Sequence, residues 1–176
     1  MTSVVLIETA RLILRTVTMA DTDSVASSWK LDEGPISFSE AEQKIKRMLS
    51  NHAQNVPGKI VHLCLAIIFK ESHEFIGWCG LDHTNQKDAD PALFYLLKAN
   101  YWGKGLATEA ARALLDYTFT QLELDSIHGG AAIDNLASKR VMEKLGMQYV
   151  GLDEEGGYAF TTTRDEYLTI SGKSYG

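Results

Sequence analysis

The sequence predicts one α/β (α+β) domain, with a mixed sheet of about seven strands and helices packed against it. Strand-like apolar runs alternate with helical patterns, no repeat or linker interrupts them, and 176 residues suit one domain. Hydrophobic residues make up 45% and charged residues 23%, which is ordinary for folded proteins and excludes disordered and fibrous classes. We therefore expect residues 1–176 to form a single domain.

The first half of the chain contains two predicted helices among strands. Residues 11–17 alternate in hydrophobicity and are rich in β-branched side chains, which indicates a strand. Asp21 suits the N-cap of a helix that reaches about Trp29. The capping-box spacing of Ser39 and Glu42 precedes an apolar stripe that indicates a second helix. Three strand-like runs follow, at residues 60–69, 75–81 and 92–97.

The second half combines two more helices with strands. Apolar residues recur at helical spacing from Leu106, and Asn135 suits the N-cap of another helix, which ends at Gly146. That helix is expected to bury Ala137, Val141 and Leu145. Residues 126–133 are strand-like, and their glycine pair indicates a bulge or a close backbone approach. Further strands are expected at 147–152 and 158–170, joined by a turn at 153–157.

Charge and composition exclude several function classes. With 17 basic and 23 acidic residues, a net charge of −6, the chain lacks the basic excess of a nucleic-acid-binding surface. The longest apolar run, residues 63–69, is too short to cross a membrane, and no secretory signal is recognisable. Cys64 and Cys79 lie in apolar segments without C-x-x-C spacing, which favours core residues in a cytoplasmic protein. The five histidines lack metal-ligand spacing, so we expect no bound metal.

Residues 100–109, NYWGKGLATE, carry the clearest functional signal. Two glycines and a lysine stand between a strand and an amphipathic helix. Glycines let backbone N–H groups approach an anion and a helix N-terminus adds unpaired donors, so this turn suits a pyrophosphate; an ordinary tight turn is the alternative. The dinucleotide pattern G-x-G-x-x-G fails because its third glycine is Thr108, and no P-loop string occurs.

Three motifs occur in order along the chain: ETARLILR at residues 8–15, YWGKGLATEA at 101–110 and NLASKRVMEKLGM at 135–147. Together they resemble the GNAT N-acetyltransferases, in particular the ribosomal-protein N-terminal acetyltransferase branch called RimJ/RimL-like. The resemblance spans about residues 8–167. It implies that acetyl-CoA enters between two splayed parallel strands, residues 93–97 and 126–133, and that its acetyl group passes directly to a primary amine.

The resemblance also implies the site residues. Those expected to bind acetyl-CoA are Leu96, Leu97, Gly103, Lys104, Gly105, Leu106, Ala107, Thr108, Asn135 and Ser138. The strand residues would contact the pantetheine, the glycine turn the pyrophosphate, and Asn135 the region near the thiol. Ser138 would also hydrogen-bond the leaving thiolate, because Met142 stands where many members carry a tyrosine acid. The alternative for Ser138 is a serine that only caps its helix.

No general base is identified. Ala92 stands where many RimJ/RimL-like members carry a glutamate, and the other candidates are Asp82, His83, Asp134, Asp165 and Glu166. An α-amine, with a pKa of about 7.7–8.0, is far more often neutral at pH 7 than a lysine amine near 10.4, so a site without a strong base suits an α-amine.

The expected acceptor is therefore an amine-bearing small molecule or a protein N-terminus. Two other functions remain open. One is a nucleotide-dependent oxidoreductase that uses the glycine turn. The other is a non-catalytic module with this fold that binds acyl-CoA or a partner protein.

Overall fold

The computed structural model describes residues 4–29, 34–83 and 90–172. Its eight strands are Leu6–Glu8 (β1), Leu12–Thr16 (β2), His62–Phe69 (β3), Glu74–Asp82 (β4), Ala92–Leu97 (β5), Ser126–Ala131 (β6), Gln148–Leu152 (β7) and Tyr158–Thr163 (β8). Its five helices are Thr22–Ser28 (α1), Phe38–His52 (α2), Leu106–Thr120 (α3), Leu136–Lys144 (α4) and Arg164–Ser171 (α5). None of the described helices is both long and apolar enough to span a bilayer.

The strands form one mixed sheet in the order β1-β2-β3-β4-β5-β6-β8-β7. Only β5 and β6 are parallel, and α3 makes the crossover between them, as a parallel connection requires. The predicted mixed sheet and its parallel pair are confirmed. The sheet has eight strands rather than about seven because β1, only three residues long, is too short to show an alternating pattern.

Helices cover both faces of the sheet, and each face has its own core. On one face, called the α2 face, Ala41 and Ile45 of α2 pack with Ala66 and Trp78. On the opposite α3 face, α3 packs on alternate residues of the same strands, including Leu65 and Leu81. Cys79 is buried on the α3 face and Cys64 is half-buried on the α2 face, and both thiols are free. Burial raises the pKa of both thiols, which keeps them protonated.

The N-terminus of α2 lies two residues before the predicted capping box. Ser37, not Ser39, is the N-cap: its side chain accepts from the N–H of Glu40, and the Glu40 carboxylate accepts from the N–H of Ser37. Ser39 lies inside the helix instead. Both serines are followed by an acid three residues later, so the sequence pattern alone did not distinguish them.

The predicted strand at 158–170 is wrong beyond Thr163. There the chain turns into α5, because the Thr163 hydroxyl accepts from the N–H of Glu166 and the Glu166 carboxylate caps Thr163 in return. The prediction followed the β-branched residues of the first half and overlooked this capping box. The predicted turn at 153–157 is confirmed by the N–H of Asp153, which donates to the Gly157 carbonyl.

The glycine pair of β6 marks a close approach and not a bulge. The β6–β8 register is continuous through Gly129 and Gly130. A Cβ atom on Gly129 would stand 2.7 Å from Sδ of Met142, so α4 and its Met142 side chain pack closely on β6 at this glycine. Accordingly α4 buries Met142 at 1% exposure, whereas the predicted core residue Ala137 is exposed.

Candidate active site

The turn between β5 and α3 is shaped by two glycines in the left-handed region. Gly103 has φ of +72° and Gly105 has φ of +75°. Gly105 is also the N-cap of α3, and because it has no side chain it leaves the first-turn N–H groups of the helix uncapped. A groove of about 740 Å³ between β1 and α3 is lined in part by Gly105 and Thr108, so this side of the turn is open to solvent. The turn therefore offers backbone donors and a positive helix end to an anion.

Aromatic side chains hold the start of this turn. The indole Nε1 of Trp102 donates to the Leu97 carbonyl at 2.7 Å, and the Tyr101 hydroxyl donates to the Glu74 carboxylate at 2.7 Å. The Lys104 ammonium lies 5.4 Å from the centroid of the Tyr101 ring and adds a full positive charge to the turn. These contacts fix the turn without using the helix N–H groups.

A clamp from the other end of the chain holds the same turn. The Arg11 guanidinium donates to the Lys104 carbonyl at 2.9 Å and to the Glu109 carboxylate at 2.7 Å. The Thr9 hydroxyl donates to the other Glu109 oxygen at 2.6 Å. The opening sequence motif and the glycine motif, far apart in the chain, thus contact each other around the first turn of α3.

Next to this turn the sheet opens. β5 and β6 pair only through Ala92 with His128 and Leu93 with Gly129. β5 continues to Leu97 and β6 to Ala131 without further pairing to each other. The two strands therefore diverge from a common start, and an extended chain that lies between them meets unpaired backbone groups.

Backbone alternation decides which β5 groups face this opening. The N–H of Lys98 donates to the Ile76 carbonyl of β4. Residues two apart on an antiparallel strand direct their backbone groups to the same neighbour, so Leu96 also faces β4. Tyr95 and Leu97 face the opening. Of the two residues predicted here, Leu97 presents its N–H to the opening, and Leu96 does not.

Helix α4 begins at the far side of the opening. Asn135 is its N-cap, and its side-chain oxygen accepts from the N–H of Ser138 at 3.0 Å. Ser138 therefore does not cap the helix, and its hydroxyl has no hydrogen-bond partner within the described ranges. The Tyr95 hydroxyl reaches across from β5 and donates to the Ser138 carbonyl at 3.3 Å. Burial raises the pKa of Tyr95 although its hydrogen bond to Ser138 lowers it, so the phenol is a proton donor at neutral pH.

Comparisons with known proteins agree with this geometry. The profile of the family described as Acetyltransferase (GNAT) domain matches residues 11–148. The chain belongs to the GNAT acetyltransferase family. It is 31% identical over 149 residues to the uncharacterized N-acetyltransferase p20 of Bacillus licheniformis, covering 82% of this chain and 83% of that protein.

Solved GNAT structures share the fold. The ribosomal-protein-S5-alanine acetyltransferase of Vibrio fischeri superposes with a TM-score of 0.78 at 18% identity, covering 93% of this chain and 98% of that one. A RimL ribosomal L7/L12 alpha-N-protein acetyltransferase gives a TM-score of 0.72 at 15% identity, covering 91% and 94%. This GNAT protein is an acetyl-CoA-dependent N-acetyltransferase.

Two positions explain the departures from the family pattern. Met142 is buried against Gly129, so the larger ring of a tyrosine does not fit in that place as the helix now lies. Tyr95, which the sequence analysis did not single out, supplies a phenol on the opposite strand. Its signal was present in the sequence, because Tyr95 is the only residue of β5 with a polar group on its side chain.

The predicted candidates for the base are dispersed. Asp165 and Glu166 lie on α5 rather than on a strand, and Glu166 is occupied by the capping box and by the Gln148 amide. His83 has its Nε2 2.7 Å from the Ile60 carbonyl oxygen. Asp82 lies exposed at the end of β4, opposite Ala92. None of these contacts places the side chain at the opening between β5 and β6.

Proposed function

We propose that this GNAT protein transfers the acetyl group of acetyl-CoA to the α-amine of a peptide or protein N-terminus. The observation that carries the proposal is the junction of the β5–β6 opening with the uncapped start of α3. The first offers unpaired backbone groups to an extended chain, and the second offers N–H donors to an anion. These two features match the pantetheine and pyrophosphate parts of one ligand.

The predicted residues other than Leu96 have a place in this proposal. The N–H groups from Gly103 to Thr108 would bind the pyrophosphate, with Lys104 as a charged supplement. The N–H groups of Tyr95 and Leu97 would bind the pantetheine. Asn135 would hold the first turn of α4 beside the pantetheine. Acetyl-CoA supplies a thioester whose carbonyl carbon accepts an amine.

The leaving thiolate would be stabilised from α4 and β5. The Tyr95 phenol donates to the main-chain carbonyl of Ser138, and the side chains of both residues carry a hydroxyl donor. Direct attack by the amine is favoured over an acyl-enzyme route, because Cys64 and Cys79 are protonated and neither lies in the sequence motifs.

Calorimetric titration with acetyl-CoA, with NADH and ATP as controls, tests the cofactor. We expect selective micromolar binding that weakens in Asn135→Ala and in Gly105→Val, since valine cannot adopt the left-handed N-cap without strain. An amine panel followed by free-thiol release tests the acceptor. Faster acetylation of lysine side chains than of peptide N-termini would contradict the α-amine proposal. Binding without thiol release for any amine would instead favour a non-catalytic module.

A further inference from the structure

His128 lies where the opening between β5 and β6 begins. It pairs with Ala92 in the first of the two rows that join these strands, and the strands diverge after the second row. Paired residues direct their side chains to the same face of a sheet. The same row continues across the sheet, because Ala92 pairs with Asp82 of β4 and Asp82 pairs with His62 of β3. His62 stacks on Phe94, so the side chains of this row, including the His128 imidazole, project on the α2 face. Ala92 offers only a methyl group beside it.

The groups around His128 form a connected set. The Ser126 hydroxyl, two residues earlier on β6 and on the same face, donates a hydrogen bond to Oδ2 of Asp90. The same Oδ2 atom lies 3.7 Å from Nε2 of His128, within ion-pairing range. Ser126 therefore fixes the carboxylate, and the carboxylate faces the imidazole. The His128 and Asp90 side chains are 47% and 46% exposed, so the ring is accessible to an acceptor.

We infer that His128, oriented by Asp90 and Ser126, is the general base that takes the proton from the acceptor amine. This inference rests on the proposed acetyl transfer and names a residue for its proton step. The imidazole takes one proton from the ammonium form of the acceptor, which frees the lone pair of the nitrogen. The neutral nitrogen then forms a bond to the carbonyl carbon, the carbon–sulfur bond breaks, and the second proton of the nitrogen passes to the leaving thiolate, which the donors beside α4 hold by hydrogen bonds. Asp90 stabilises the imidazolium, which releases its proton to water.

A histidine base also selects the class of amine. Imidazole has an ordinary pKa of about 6.5, so it lies within roughly 1.5 pH units of an α-ammonium but about 4 units below a lysine ammonium. Proton transfer from an α-ammonium is therefore only slightly uphill, and transfer from a lysine ammonium is less favourable by roughly a few hundredfold. The base thus favours α-amines and other weakly basic amines as acceptors.

The Asp90 carboxylate lies in ion-pairing range of the His128 ring. The other charged or titratable residues in the row of His128 are Asp82 and His62, and Asp90 faces the ring from the segment before β5. On the other side, the neutral Thr161 of β8 pairs with His128. We therefore expect Asp90→Asn to lower kcat on a peptide acceptor, because the imidazolium then loses the carboxylate that orients and stabilises it.

The test compares His128→Gln and Asp90→Asn with the wild type on two acceptors: a short peptide with a free α-amine and an arylamine that is neutral at the assay pH. We expect His128→Gln to lower kcat on the peptide by about 10²-fold and to change the rate on the arylamine far less. Acetyl-CoA affinity should stay unchanged. The matched control is Asp125→Asn, which removes a fully exposed carboxylate next to Ser126 and should keep full activity.

The outcomes separate this inference from the proposed function. A wild type that acetylates peptides together with a His128→Gln variant within threefold of it would overturn the base and leave the function intact. Equal losses on both acceptors would show a structural role for His128 and would also overturn it. A wild type that releases no thiol with any amine would overturn both.

Discussion

Arg11 and Glu109 join the start of the sheet to the first turn of α3 across 98 positions of the chain. The Arg11 Nε and Nη2 atoms lie 2.7 and 2.6 Å from Oε2 of Glu109, and the Arg11 main-chain N–H donates to Oε1 at 2.9 Å. The same guanidinium holds the Lys104 carbonyl. The geometry of the glycine turn therefore depends on residues that are not part of it.

Glu109→Gln tests this clamp. Burial opposes the charge on Glu109, but hydrogen bonds from Thr9 and Arg11 outweigh it and hold its pKa below the ordinary value. A carboxylate of this kind stabilises the fold above its unfolded pKa of about 4.3, and the contribution disappears as the pH falls through its native pKa. We expect thermal melts to show a loss of about 1 kcal/mol at pH 7, or about 2–4 °C in Tm, that shrinks below about pH 4.

The control for this variant is Glu143→Gln, which removes an exposed carboxylate paired with Lys139 on α4. An exposed pair of this spacing contributes only about 0.3–0.5 kcal/mol. Acetyl-CoA affinity should fall in Glu109→Gln but not in Glu143→Gln. A Glu109→Gln protein with the stability difference unchanged down to pH 3 would contradict the role of the ionised carboxylate.

Gly103→Ala and Gly58→Ala form a matched pair for the glycine turn. Both glycines have positive φ, +72° and +78°, and a Cβ atom at either position would contact nothing within 4 Å. The folding cost of the left-handed conformation should therefore be similar, about 1–2 kcal/mol in each. We expect acetyl-CoA affinity by calorimetry to fall only in Gly103→Ala. Equal affinities in the two variants would show that the turn does not bind the pyrophosphate.

Tyr95→Phe and Ser138→Ala separate the two donors beside α4. Each removes a single hydroxyl group and leaves the backbone of the opening in place. Because a thiolate leaves readily without full protonation, we expect kcat to fall by roughly tenfold in either variant, below the usual range for general acids. The acetyl-CoA Kd should change little. A double variant no slower than the wild type in thiol release would exclude both residues from the proton step.

Met142→Tyr tests whether the family's tyrosine can be restored at its position. Met142 is 1% exposed and packs against Gly129, so the larger ring would overfill this part of the core. We expect a loss of about 1–3 kcal/mol in chemical denaturation and no gain in kcat. Met142→Leu, which nearly conserves volume, should cost less than about 1.5 kcal/mol. Faster turnover by Met142→Tyr would show that the helix can rotate toward the opening.

Local patterns predicted much of the fold. The predicted ranges for β5, α3 and α4 agree with the structure because each has a strong periodicity or a clear cap within a few residues. The errors arose where two local signals competed. Ser37 and Ser39 both fit a capping box, and residues 158–170 carried strand-forming residues ahead of the stronger cap at Thr163.

The candidate site divides in the same way. The glycine turn was visible in the sequence, because left-handed φ and an uncapped helix start are properties of consecutive residues. Tyr95, Ser126 and His128 were not singled out, since their significance depends on what lies opposite them. Tyr95 reaches Ser138 over 43 positions, and Ser126 reaches Asp90 over 36.

The sequence by itself determined the helices with clear periodicity, the glycine turn and the order of its three motifs. These features depend on backbone conformation and side-chain spacing within a few residues. Only the tertiary structure decided that Arg11 holds Glu109, that Leu97 rather than Leu96 faces the opening, and that His128 lies in the row of Ala92. These contacts depend on strand register, because a shift of one residue reverses the face of every side chain on a strand.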